Sequence, residues 1–176
     1  PYGVYVLNNN EGFINLGTSS DTAEFAGESI WRWWDCVGKH TFPNARKIYI
    51  ACDGGGSNRC CVRLWKMALA KLAHRTGLEI HVSHFPAGTS KWKKIEHRLL
   101  CYVTKNWAGT PLVDIQTVVN LIAGTTTTKG LMVKCVADYS EYREGISVSD
   151  EEMDSIDIER DGQFGDWNYV VRGFKK

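Results

Sequence analysis

The chain has 176 residues, 43% of them hydrophobic and 23% charged, with a formal net charge of +1. That length matches one domain with a real core, and the balance excludes a disordered chain. No apolar run approaches the roughly 18 residues that span a bilayer, and no signal-peptide pattern opens the chain, so neither a membrane protein nor an exported one is expected.

Tyr2–Leu7 and Phe13–Gly17 read as short strands, and the turn-rich residues between them make a β-hairpin. Tyr5 and Val6 lie inside a strand only five residues from the start, and no Met opens the chain. The reading is therefore of a fragment that has lost its N-terminus. Asp21-Thr22-Ala23-Glu24 has N-cap spacing, and Phe25, Ile30, Trp33 and Trp34 form an apolar stripe up to Gly38, a C-cap candidate. Lys47–Cys52 reads as a buried strand. Asp53 stands at its end, followed by Gly54, Gly55 and Gly56. Ser57 or Asn58 then caps a helix to about Thr76, with Val62, Leu64, Trp65, Leu69 and Leu72 as apolar positions. Leu78–Phe85 is another strand, and Pro86–Ser90 is a loop into a third helix over about Lys91–Trp107. Pro111 and Asp114 open a fourth helix to about Ala123. Leu131–Val136 reads as a strand, Ser149–Glu152 as a capping box, and Trp167–Val171 as a closing strand. This order predicts an α/β fold with a mixed sheet flanked by helices. Residues 1–137 read as its core, and 138–176 as an acidic C-terminal extension packed on the same domain.

The small net charge hides an asymmetry. Residues 59–98 hold nine Lys/Arg against Glu79 and Glu96, a net of +7, whereas residues 138–166 hold eleven acids against Arg143 and Arg160, a net of −9. A basic centre suggests a polyanionic partner, although lysines also serve simply to solvate helix faces. The six cysteines form no CxxC pair, and most sit in apolar runs. They read as reduced, buried small residues of a cytoplasmic protein.

Two acids are the candidates for chemistry. Asp53 lies where α/β sheets place their sites, at the carboxyl end of a strand. Capping of the next turn is the plain alternative, and a phosphate-cradling loop lacks its lysine. Glu96 lies within Lys91-Trp92-Lys93-Lys94-Ile95-Glu96-His97-Arg98. Lysines at a helix start oppose the helix dipole at a cost of about a few tenths of a kcal/mol each, which a bound anion removes. Trp92 beside them offers a stacking surface for a base or sugar, or else packs in the core. Trp92, Glu96 and Leu100 share a stripe at i, i+4 spacing. His81 and His84, three apart on a strand, point to opposite faces and suit a shared metal poorly. His97 is either a phosphate donor or a surface histidine. Two carboxylates 43 positions apart suit Mg2+ or Mn2+. A pair of such ions activates a water or hydroxyl and stabilises the leaving oxygen at phosphorus.

The run from Asp53 through Ser57 and Asn58, then Arg63-Leu64-Trp65-Lys66, then His84-Phe85-Pro86-Ala87-Gly88-Thr89-Ser90-Lys91-Trp92-Lys93-Lys94-Ile95-Glu96-His97-Arg98, closely resembles the catalytic domain of Rhodopirellula-type (ISAzo-like) DDE transposases. The likeness extends over nearly the whole chain, including Pro1–Tyr5, Trp31–Trp34, Asn120–Ile122, Val148–Asp150 and Asp166–Tyr169. It implies an RNase H-like fold and a triad of acids holding two Mg2+ (or Mn2+) ions. It further implies hydrolysis at transposon ends to free a 3′-hydroxyl, then strand transfer into target DNA. Asp53 matches the second acid and Glu96 the third. The first acid belongs to an opening strand upstream of Pro1 that nothing here matches, so the fragment is expected to be inactive alone. Lys91, Trp92, Lys93, Lys94, His97, Arg98, Ser57 and Asn58 are the expected DNA contacts. The expected partners are transposon-end and target DNA and further copies of the chain, with no membrane and no small-molecule cofactor. The expected location is the bacterial cytoplasm at the nucleoid. End recognition is placed upstream, since no helix-turn-helix is evident. The alternatives are another RNase H-like nuclease, which would nick without joining, and a non-catalytic DNA-binding remnant.

Overall fold

A computed structural model describes residues 1–86 and 88–175, with the backbone alone of Ser90. Ala87, in the loop read over Pro86–Ser90, and Lys176 lie outside the described residues. The strands are β1 (Tyr2–Val6), β2 (Glu11–Gly17), β3 (Lys47–Cys52), β4 (Glu79–His84), β5 (Met132–Asp138), β6 (Ile156–Arg160) and β7 (Asn168–Phe174). The α-helices are α1 (Ala23–Trp33), α2 (Lys39–Thr41), α3 (Arg63–Thr76), α4 (Cys101–Trp107), α5 (Ile115–Ala123) and α6 (Asp150–Asp154). The architecture is mixed α/β, with sheets flanked by helices. Two compact units are formed, Pro1–Ser19 with Thr89–Glu141, and Ser20–Gly88 with Tyr142–Lys176.

In the first unit, β1 and β2 form the expected antiparallel hairpin. Its reversal uses Asn10 at φ 57, a left-handed conformation that asparagine tolerates, and the Tyr5 hydroxyl donates to Asn10 Oδ1 at 2.7 Å. β2 then pairs in parallel with β5, from Glu11 opposite Met132 to Gly17 opposite Asp138. Ile14, Leu99, Val103, Ile122 and Leu131 form the buried core between this sheet and its helices. Asp114 caps α5, accepting from the Thr117 backbone N–H at 2.6 Å.

The second unit carries a sheet in the order β3-β4-β7-β6. β3 and β4 are parallel, with Cys52 opposite His84; β4 and β7, and β6 and β7, are antiparallel. α3 buries Trp65, Leu69 and Leu72 and packs against β7. α1 packs on α3 where Gly27 faces Ala68, and a Cβ at Gly27 would lie 2.8 Å from that methyl. The capping box at Ser149 is formed, with Glu152 returning its side chain to the Ser149 N–H at 2.8 Å.

Several expectations are corrected. β3 is an edge strand rather than a buried one, and Tyr49 is 67% exposed. Its apolar run looks uniform in sequence, yet only the face of Ile48, Ile50 and Cys52 is covered. The helix expected from Ser57 or Asn58 starts at Arg63; Gly56–Asn58 form a separate 3-10 turn. Arg59 and Val62, both extended, separate that turn from α3. The cap of α1 is Thr22, whose Oγ1 accepts from the Phe25 N–H at 3.2 Å. Gly38 is no C-cap: it is right-handed and closes a π-helical turn, Trp34–Gly38, where a Cβ would strike the Trp34 ring.

The third helix is broken into a 3-10 turn (Ser90–Trp92), a π-helical turn (Glu96–Leu100) and α4. The wider turn disrupts the stripe expected of Trp92, Glu96 and Leu100: the first two are exposed, whereas Leu100 packs on the core beside Leu99. All six cysteines are free, but only Cys52 is buried, because an apolar neighbourhood in sequence does not decide which face a residue takes. β6, within the acidic segment, was not anticipated; its alternation of Ile156 and Ile158 with acids is the period of a half-buried strand. Among the described residues, no helix is long and apolar enough to cross a membrane.

Candidate active site

Asp53 follows β3 directly and is exposed. The chain leaves the strand close against β4: the Phe85 N–H donates to the Cys52 carbonyl at 2.8 Å. A Cβ at residue 54 would sit 2.9 Å from the Phe85 carbonyl oxygen, so Gly54 is what lets the backbone pass. Gly55 and Val62, at the N-cap positions of the 3-10 turn (Gly56–Asn58) and of α3, supply no side-chain cap.

Beneath Asp53 lies a buried polar chain. His84 Nδ1 is 3.1 Å from the Asp53 carbonyl oxygen, and His84 Nε2 is 2.8 Å from the Tyr169 hydroxyl. That hydroxyl also accepts from Trp65 Nε1 at 3.0 Å. Burial pushes the His84 imidazole below its ordinary value of 6.5, and the Lys66 charge adds to this, while the hydrogen bond to Asp53 opposes it. Burial likewise pushes the Cys52 thiol, 3.3 Å from His84 Nδ1, up to about 12 and raises the Tyr169 phenol. Lys66 is buried, which lowers its pKa. Its Nζ donates to the Cys60 carbonyl at 2.7 Å and lies 5.7 Å from the Tyr169 ring centre. The loop that carries Asp53, Ser57 and Asn58 is thus tied at both ends, by His84 and by Lys66.

Glu96 belongs to the first unit, and its surroundings are of another kind. It opens the π-helical turn, with its side chain 47% exposed and its carboxylate 3.9 Å from Lys93 Nζ. Such turns inside helices often occur at functional positions. The turn is seated by apolar contacts: Leu99 is fully buried where Gly12 of β2 has no side chain, and a Cβ there would overlap Leu99. Ile95 lies similarly over Gly3. Around Glu96, Lys91, Trp92, Lys94, His97 and Arg98 are all exposed and Lys93 is partly so. Trp92 is 57% exposed, with Lys91 Nζ 5.4 Å from its ring centre, so it does not pack in the core.

His84 was considered from sequence only as a metal ligand and set aside. The signal that finds it is register: KIYIAC and EIHVSH are two six-residue parallel strands, so the last residue of one stands beside the last of the other.

Residues 1–173 match the family described as the Rhodopirellula transposase DDE domain, and the chain belongs to that family. Membership supports a transposase role. No curated protein and no solved structure matches the chain. DDE transposase domains generally use divalent metal ions. Mg2+ is usually held by one or two carboxylates with water and substrate phosphate completing its shell, so exposed hard oxygen donors such as those of Asp53 and Glu96 fit it. Among the described residues, no three His, Cys, Asp or Glu side chains gather to hold an ion.

Proposed function

We propose that the chain is the RNase H-like catalytic core of an insertion-sequence transposase, which cleaves DNA at transposon ends and joins the freed 3′-hydroxyl to target DNA. The observation that carries this reading is the setting of Glu96: an acid exposed on a π-helical turn, among Lys91, Lys93 and Lys94 and beside a bare indole, in a chain matched to this family over 173 residues. Cations beside an open aromatic face suit a nucleic-acid strand, the first for phosphates and the second for a base.

In this reading, the Asp53 and Glu96 carboxylates are ligands for two Mg2+ or Mn2+ ions. Bound, the ions supply acidity to the attacking water or 3′-hydroxyl and charge stabilisation to the leaving oxygen. Lys91, Lys93, Lys94 and Arg98 neutralise backbone phosphates, and Trp92 stacks on a base or sugar. His97 donates to a phosphate oxygen, and Ser57 and Asn58 contact the backbone from the Asp53 loop. In this reading no residue of the chain is assigned as the first acid, and the chain alone is inert. Copies of the protein act together on paired transposon ends and target DNA in the bacterial cytoplasm.

The test is end cleavage and joining of a labelled transposon-end duplex with Mg2+, by the parent protein and by this chain. Cleaved and joined products from the parent, lost in Asp53→Asn and in Glu96→Gln, are expected. Nicks without joining would instead mark a nuclease, and binding without cleavage a DNA-binding remnant. Turnover by the 176-residue chain would refute its inertness.

A further inference from the structure

In the polar chain beneath Asp53, His84 Nδ1 faces both the Asp53 carbonyl oxygen and, at 3.3 Å, Cys52 Sγ, and one arrangement of protons satisfies every nitrogen and oxygen of the chain. The Asp53 carbonyl oxygen can only accept, so His84 Nδ1 carries a hydrogen and donates to it at 3.1 Å. Trp65 Nε1 can only donate, so the Tyr169 oxygen accepts from it at 3.0 Å. The Tyr169 proton is then directed to His84 Nε2, 2.8 Å away, which must be bare. The opposite tautomer would gain only a weak thiol donor, Cys52, for Nδ1, while setting that lone pair against a carbonyl oxygen and depriving the Tyr169 proton of its acceptor. Trp65 and Tyr169 are 0% and 3% exposed, so water does not substitute readily for these bonds.

We propose that His84, locked as its Nδ1–H tautomer by Tyr169 and Trp65, is a positioning residue that fixes the Asp53 backbone and thereby aims its carboxylate. The role rests on the metal-binding reading of Asp53 given above. It follows the general logic by which a hydrogen bond behind a ligand orients that ligand, and loss of such a partner typically weakens metal binding about 10- to 100-fold. The sheet register makes the arrangement possible: Cys52 and His84 end adjacent parallel strands, and the His84 N–H donates to the Trp167 carbonyl at 2.9 Å, holding the imidazole under the Asp53 loop.

The experiment uses the 176-residue chain, isotope-labelled for NMR, with Mn2+ alone as the probe. Ring nitrogen spectra are expected to show His84 protonated at Nδ1 and bare at Nε2, and Tyr169→Phe is expected to release it to a mixture of tautomers. Protonation at Nε2 in the unsubstituted chain overturns the proposal. Mn2+ is expected to broaden the amide signals of Gly54–Gly56. His84→Gln, whose amide reaches the Nε2 position, should require about 10-fold more Mn2+ for the same broadening. His84→Asn, whose amide nitrogen replaces Nδ1 as donor, should restore most of the effect. Equal losses in both variants would reduce His84 to a packing residue and overturn the proposal, as would no loss in either. Asp53→Asn separates the two claims. If it leaves the broadening intact, the metal reading of Asp53 fails; the positioning claim is then decided by the tautomer and by whether His84→Asn, unlike His84→Gln, keeps the Asp53 and Gly54 amide shifts.

Discussion

The segments that carry Asp53 and Glu96 are held by opposite kinds of force. Below Asp53, four side chains of the second unit form a directional polar assembly: His84, Tyr169, Trp65 and Lys66. Each bond there depends on a proton being on the right atom. Below Glu96 the anchors are Leu99 and Ile95, seated where Gly12 and Gly3 leave room, and the contacts are non-directional. A polar anchor sets an angle and fails abruptly when one partner is lost, because the remaining groups are buried and unsatisfied. An apolar anchor sets a distance and fails in proportion to the volume removed. The strand end and the helical turn thus present their acids with different tolerances to mutation.

Leu99→Ala gives the largest expected effect. Removing a fully buried leucine should destabilise the first unit by about 2–5 kcal/mol in urea unfolding. A smaller loss would mean that the turn collapses into the cavity and that the apolar seat is soft. Gly12→Ala probes the same seat from the strand side. The added methyl should displace Leu99 and cost about 1–3 kcal/mol, with amide shifts concentrated over residues 95–100. Shifts elsewhere would disconnect Gly12 from the Glu96 turn. Tyr169→Phe is the matching cut in the polar assembly. It removes one oxygen and no core volume, yet should cost about 1–3 kcal/mol, because Trp65 Nε1 and His84 Nε2 are both left without that partner. A neutral result would show that the assembly contributes little to holding the Asp53 loop.

The smallest effect is a pH dependence confined to the polar side. His84 has a folded-state pKa below 6.5, so between that value and 6.5 the unfolded chain binds a proton that the native one does not. Its contribution to stability is therefore flat above 6.5, declines as pH falls through 6.5 towards the folded value, and levels off below it. Lys66, Cys52 and Asp53 surround this group and are common to the comparison. His84→Asn should flatten that part of the stability curve relative to the unaltered chain; an identical curve would show that His84 does not bury a neutral imidazole.

Much of this was legible in the residues because it is local. The hairpin at Asn8–Asn10, the Asp114 cap, the Ser149–Glu152 box and the alternation of β4 all follow from groups within a few positions of one another. The settings of Asp53 after a strand and of Glu96 among lysines were also legible. The π-helical turns were not, since their wider hydrogen bonding leaves no local signature in the residues; at Glu96–Leu100 the turn carries Leu99 in the core and Leu100 against it. Nor was the exposed face of β3, because an apolar strand reads alike at the edge and the middle of a sheet.

By itself, then, the amino-acid order determined the hairpin, the local caps, the charge asymmetry and the mixed α/β class, all of which depend on near neighbours and on side-chain chemistry. Only the tertiary structure decided that β2 pairs in parallel with β5, that His84 stands beside Cys52 and beneath Asp53, and that the Tyr169 hydroxyl, 85 positions from His84, meets its Nε2. The reason is physical: strand register across long separations is chosen by the burial of whole faces and the satisfaction of buried donors, and neither is a property of any short stretch of chain.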